Sequence, residues 1–355
     1  MTVRFPRPLS PEARIGVTSP SSGVGPEHRG RLDFAVRWLE ARGYRVEVGS
    51  CMDGNGHISA PVQERAAELM RMLLDPGIEL VIPPWGGETA IDLLPHLDFE
   101  ALGRAEPTWV VGYSDISTLL VPLTLLSGWA TIHGPNLMDT PFDLPESLAS
   151  WIDVASSPGG SVIRQSPAGV HHAGEWEDWT ANPALTAHTM NGSGTWRRLD
   201  SGTAPVDVTG RLIGGCIETV APLTGTRYGD TARLRGADGD ETTLVYVEAS
   251  EENAFLICRA LHGMRLAGFF DGASAILIGR TSAPNAPTLT QDEAVLDALA
   301  SLGLPIIADV ECGHVPPQMS IVNGCSARLV HGAGGSHLDQ TLGSRSQGGA
   351  VNHAP

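Results

Sequence analysis

Residues 109–120 read WVVGYSDISTLL, and within them a strand pattern ends where a helix pattern begins. Trp109, Val110 and Val111 form a short apolar run of strand type, whereas Ile116, Leu119, Leu120 and Leu123 recur at helical spacing. Ser114 sits at the hinge. A serine there can cap the helix, because its hydroxyl accepts an orphan backbone N–H. A hydroxyl held where a strand turns into a helix is also raised above the sheet, beside a helix N-terminus that favours negative charge. These residues alone leave both readings open.

The rhythm extends outward from this stretch. Strand-like runs RIGVTS (14–19), YRVEVG (44–49), ELVIPP (79–84) and WATIHG (129–134) alternate with helix-like segments. That is the βαβ order of a parallel sheet covered on both faces. VQERAAELMRMLLDPG reads as a helix with Ala66, Leu69, Met70 and Leu73 on one stripe and a stop at Pro76–Gly77. Pro122 should kink or end the helix that follows Ser114. From about 140 to 205 the pattern gives way to Pro, Gly, Ser, Asp and Trp, as in AGEWEDWTANP and NGSGTWRRLDSG.

A second set of elements follows, with strands TTLVYVE (242–248), ASAILIG (273–279) and PIIADV (305–310) and helices near 251–266 and 291–302. The expected fold is therefore α/β in two domains. An N-terminal parallel-sheet, flavodoxin-like layer domain occupies 1–145 and carries Ser114. A linker and Trp-rich loop span 146–205, a C-terminal mixed α/β or partial-barrel domain spans 206–340, and a disordered tail takes 341–355.

Composition fits two cores: 355 residues with 42% hydrophobic content exceed the size at which a single core stops growing. The net charge of −17 argues against nucleic acid or an anionic membrane surface as partner. No apolar run reaches the length of a membrane span, and the opening MTVRFPRPLSPEARIGVTSP lacks a signal-peptide core, so a cytoplasmic location is expected. Cys51, Cys216, Cys258, Cys312 and Cys325 are odd in number without C-x-x-C spacing and read as free thiols. The pair His171–His172 lacks partners at metal-ligand spacing, and neither a metal nor another cofactor is expected.

Four segments leave polar or glycine residues at strand ends, where open α/β sheets build their sites. In PPWGGETA (83–90), Gly86 and Gly87 suit either a plain turn or backbone N–H groups turned toward an oxyanion. GYSDIS carries Ser114 but lacks the last glycine of G-x-S-x-G. LVYVEASEE ends a strand on Glu248, with Glu251 and Glu252 as first-turn charges. DVECGHVPPQMS places His314 after a strand and before Pro316 and Pro317, which stiffen the loop. Together they supply nucleophile, orienting acid, base and anion hole.

VVGYSDISTLL followed by TIHGP, with Pro20–Ser22, the GG turn at 86–87, GRLIGGC at 210–216, VE at 247–248 and GHVPPQMSIVNG at 313–324, resembles the LD-carboxypeptidase family of serine peptidases. The matches run from about 14 to 330 in the family's order. The resemblance implies a Ser–His–Glu triad of Ser114, His314 and Glu248, an oxyanion hole from the backbone amides of Gly87 and Asp115, and a homodimer. The long stretch between Ser114 and Glu248 is similar to the microcin C self-immunity branch, which cleaves the amide between an aspartate and a nucleotide-like group.

That resemblance implies a peptidyl- or aminoacyl-nucleotide substrate. Substrate contacts are then expected from Trp85, Gly86, Glu88, Trp176, Trp179 and Trp196. Cys216, where the family commonly has Asn, and Val322, where it commonly has Pro, depart from the pattern. The alternatives are release of D-alanine from murein tetrapeptide, an ordinary α/β-hydrolase esterase, and a non-catalytic small-molecule binding protein lined by the same polar residues.

Overall fold

The computed structural model describes residues 1–174, 176–235 and 241–343. Its first five strands are β1 (Arg14–Val17), β2 (Arg45–Val48), β3 (Ile78–Ile82), β4 (Trp109–Gly112) and β5 (Thr131–His133). They pair in parallel in the order β2-β1-β3-β4-β5. This is the flavodoxin-like arrangement, whose strand C-termini open onto a crevice. Strands β1, β3 and β4 are almost wholly buried because helices cover both faces. The helix Val62–Leu74 buries Ala66, Leu69, Met72 and Leu73, with Met70 half-buried at the edge of the stripe. After Ser114 the helix Ser117–Pro122 loosens into a wider turn at Leu123–Ser127, as Pro122 foretells.

The remaining strands are β6 (Val162–Gln165), β7 (Val170–His172), β8 (Met190–Ser193), β9 (Arg197–Arg198), β10 (Val206–Cys216), β11 (Thr243–Glu248), β12 (Ala273–Gly279), β13 (Ile306–Val310), β14 (Ile321–Asn323), β15 (Ser326–Gly332) and β16 (Gly335–Thr341). Eight of them form an open mixed sheet in the order β6-β16-β15-β10-β11-β12-β13-β9. It is parallel through β10, β11, β12 and β13 and antiparallel at its flanks. The second domain is thus a mixed sheet, not a partial barrel. β14 leaves that domain and pairs antiparallel with β5, so the C-terminal half closes the edge of the first sheet.

Two segments differ from their sequence pattern. The stretch 146–205, read as linker and loop, supplies β6 and β9 to the second sheet and the separate hairpin β7–β8. Its strands are short and polar, so no alternating apolar signal marks them. Residues 335–341 form β16, with Leu338 and Gln340 pointing inward and fully buried, so its last residue, Thr341, lies within the expected disordered tail. The rest of the expected disordered tail, from 344, lies outside the described residues. No helix among the described residues is long and apolar enough to cross a membrane.

Candidate active site

Ser114 follows β4 with φ at +62°, the left-handed region that a side chain enters only under constraint. The constraint is visible. A Cβ on Gly86 would lie 2.9 Å from Ser114 Cβ and 3.0 Å from its Oγ, so that turn presses backbone against the hydroxyl. Asp115, 1% exposed, ties the neighbouring loops together: its carboxylate accepts from Ser21 Oγ at 2.6 Å and from the Ala90 N–H at 2.8 Å. Buried Arg65 fixes the Pro20 carbonyl at 2.8 Å from the other side. Among the described residues the N–H groups of Gly87 and Asp115 have no hydrogen-bond acceptor. Among the described residues Ser114 Oγ hydrogen-bonds only to His314 Nε2, not to a helix N–H.

His314 reaches this hydroxyl from the loop after β13. Its Nε2 is 3.0 Å from Ser114 Oγ and its Nδ1 is 2.9 Å from Glu248 Oε2. Glu248 ends β11 and is fully buried. Gly313 must be glycine for this to fit, because a Cβ there would run into the Glu248 carboxyl. Burial pulls the His314 imidazolium down. Glu248, with Glu218 and Asp139 farther off, outweighs that and raises its pKa above the ordinary value. The Tyr113 ring meets the imidazole edge-on at 5.0 Å.

The triad opens into a cleft of about 320 Å³ lined by Trp85, Gly86, Gly87, Glu88, Trp176 and Trp179 among others. A second cavity of about 290 Å³ adjoins it, walled by Trp38, Phe142, Trp151, Trp176 and His188. The β7–β8 hairpin docks beside both. The His172 N–H donates to the Pro316 carbonyl at 2.9 Å, and Arg31 donates to the carbonyls of Pro183 and Leu185 at 3.1 and 2.6 Å. The Arg31 guanidinium lies against the rings of Phe142 and Trp179, at 4.6 and 5.1 Å.

Models of the two halves of one family match the chain: the LD-carboxypeptidase N-terminal domain over 15–134 and its C-terminal domain over 209–329. The chain belongs to the LD-carboxypeptidase family. It is therefore a hydrolase of the serine-peptidase class.

Within this family a Vibrio cholerae protein whose name assigns it provisionally to the carboxypeptidases is 28% identical, covering 89% of this chain and 91% of that one. The microcin C7 self-immunity protein of Escherichia coli is 23% identical over 89% of this chain and 90% of its own. The murein tetrapeptide carboxypeptidase of Pseudomonas aeruginosa is 28% identical, over 41% of this chain and 48% of its own. A structure of the self-immunity protein with glutamyl sulfamoyl guanosine superimposes with a TM-score of 0.81 at 21% identity, covering 96% of this chain and 99% of that one. That protein has also been captured with aspartyl sulfamoyl adenosine. An active-site variant of it replaces a serine, an asparagine and a lysine by alanine.

This LD-carboxypeptidase family member contains no lysine, all 23 of its Lys and Arg residues being arginine. That active-site lysine therefore has no lysine counterpart here. The charges that act on Glu88 at the cleft edge are instead carboxylates. Burial raises its pKa, and Glu251, Asp115 and Glu218 raise it further, against His314. Cys216 Sγ donates to Glu218 Oε2 at 3.1 Å, and burial pushes the thiol up.

The structure brings Ser114, His314, Glu248, Gly86, Gly87, Asp115, Trp85, Glu88, Trp176 and Trp179 to one cleft. Trp196 is not there. It is 2% exposed, and its indole N–H donates to Glu311 Oε2 at 2.6 Å inside the second domain. An indole in a polar segment reads equally as contact or anchor, and only the fold separates the two.

Sequence reasoning missed Tyr113, Asn136, Asp139, Phe142 and His188. The first three share the strand-end position of the recognised segments, after β4 and β5, and the signal was available in GYSDIS for Tyr113 and in TIHGPNLMD for Asn136 and Asp139. Among the described residues two groups of three metal-type ligands occur. Cys216, Glu248 and His314 are two members of the triad and a neighbour; Cys258, His262 and Asp297 lie on the surface. In the second, His262 Nε2 is 2.7 Å from Asp297, and Arg265 donates to its Nδ1 at 3.2 Å.

Proposed function

We propose that this protein is a Ser–His–Glu amidase that hydrolyses the bond between a peptidyl or aminoacyl group and a nucleotide-like leaving group. The observation that carries the leaving-group assignment is the aromatic cavity that joins the Ser114 cleft through Trp176. A base stacked there would gain about 1–3 kcal/mol. The relatives' complexes with aminoacyl sulfamoyl nucleosides support the reading.

In this mechanism His314 Nε2 takes the Ser114 proton as Oγ attacks the amide carbonyl. The left-handed backbone holds the hydroxyl above the sheet, so little ordering is needed at the moment of attack. The N–H groups of Gly87 and Asp115, free of other acceptors, receive the oxyanion. Glu248 accepts the Nδ1–H of neutral His314 and so keeps that proton on Nδ1, leaving Nε2 as the base. His314 then returns the proton to the departing nitrogen, and water, deprotonated by the same imidazole, releases the acyl group.

The test is a paired assay with an aminoacyl sulfamoyl adenosine and a murein tetrapeptide. Ser114-dependent release of sulfamoyl adenosine is expected. Release of D-alanine alone would move the protein to the murein branch.

A further inference from the structure

Asp139 stands where the two cavities meet. It and Trp176 line both the Ser114 cleft and the aromatic cavity, so a ligand spanning the two passes between them. The residue follows β5 and is 8% exposed. Three groups face its carboxyl: Arg31 from the helix Arg29–Glu40, Tyr113 from the end of β4, and His314 from the loop after β13. Arg31 makes no ion pair with it, and its Nη2 has no hydrogen-bond partner among the described residues. Its Nε and Nη1 donate to the carbonyls of Met138, Pro183 and Leu185 at 2.7, 3.1 and 2.6 Å. The reaction chemistry gives Asp139 no role, yet it is the carboxylate common to both cavities, Asp143, Glu146 and Asp153 lining the aromatic one and Glu88 the Ser114 cleft.

We propose that Asp139 determines specificity by reading the charge of the leaving group, donating a hydrogen bond to an anionic group when protonated and repelling it when ionised. Phosphoryl, sulfamoyl and carboxylate groups share the chemistry it would recognise. The burial that makes an ionised carboxylate costly here pushes Asp139 up to about 7, against the attraction of Arg31 and His314. Both forms are then populated near neutrality. The neutral acid has an O–H to donate; the carboxylate is acceptor-only.

The inference rests on Ser114 as nucleophile with the leaving group on the Trp176 side. Its test is the pH dependence of two substrates that share an acyl group: one with an anionic leaving group, an aminoacyl sulfamoyl adenosine, and one with a neutral leaving group, the matching anilide. Between about pH 7 and pH 9 the anionic substrate should lose roughly tenfold or more in kcat/KM relative to the anilide through a rise in KM, while the anilide follows only the His314 limb and keeps its KM. Asp139→Asn keeps a donor without the charge and should abolish the high-pH loss, whereas Asp139→Ala should raise KM for the anionic substrate over the wild-type value at and below pH 7 and leave it independent of Asp139 ionisation above that. Equal pH dependence of the two substrates with wild-type protein overturns the role of Asp139. So does a high-pH loss that survives Asp139→Asn. Turnover of the anilide that persists in Ser114→Ala would instead overturn the underlying assignment of the nucleophile.

Discussion

The corner that holds Ser114 and the hairpin that carries Trp176 are fixed by different means. At the corner the backbone is over-determined: Ser114 has φ at +62°, Gly86 is in van der Waals contact with it, and buried Asp115 ties down two loops. The β7–β8 hairpin has strands of three and four residues, and Val170 and Trp176 are 39% and 47% exposed. It is held by hydrogen bonds such as those to Pro316 and from Arg31. Chemistry thus sits where geometry cannot drift, and recognition sits on a strap that can change without disturbing either sheet.

If that division is right, substitutions at the corner act on kcat and those in the hairpin on KM. Ser114→Ala should lower kcat by about a million-fold with the fold intact, read by steady-state kinetics and circular dichroism. A variant keeping a few per cent of the rate would break the comparison at its strong end. Glu248→Gln should cost about ten-thousand-fold in kcat, since the amide cannot hold the imidazole in the required tautomer. The Glu248/His314 double variant should be little worse than His314→Ala alone.

Trp176→Ala should raise KM for an aminoacyl sulfamoyl adenosine by about ten- to a hundredfold and leave a substrate without a base almost unchanged. Equal losses on both would assign the indole to docking the strap. The raised pKa of His314 gives a pH test. The base must be neutral, so kcat/KM for a substrate with a neutral leaving group should climb with pH through a value above the ordinary histidine value of about 6.5. Glu248→Gln removes the main stabiliser of the imidazolium and should move that limb to lower pH. Trp196→Phe should leave both kinetic constants alone and lower stability by about 1–3 kcal/mol in chemical denaturation, because Glu311 Oε2 loses its buried donor.

The same contrast explains what could be read from the residues. The parallel order of β1 to β5, and Ser114, Glu248 and His314, were legible because strand-end geometry admits few residue types. Gly86 and Gly313 are forced by close approach, and the βαβ rhythm leaves periodic apolar runs. The role of Trp196 was not legible, because its partner Glu311 is 115 positions away and joins it only in the fold. β6 to β9 are too short and polar to carry a period, and β14 crosses back to the first sheet for a reason that lies in tertiary pairing with β5. Asp139 was missed although it follows β5, since its environment is assembled from Arg31, Tyr113 and His314 on three separate elements.

The central claim is that Ser114 is the nucleophile and His314 its base. It is tested most directly by treating the protein with a fluorophosphonate and mapping the adduct by peptide mass spectrometry. One adduct on Ser114 is predicted, matching loss of activity mole for mole, absent from Ser114→Ala and slowed by orders of magnitude in His314→Ala. An adduct on another residue, or full activity in protein labelled at Ser114, would contradict it.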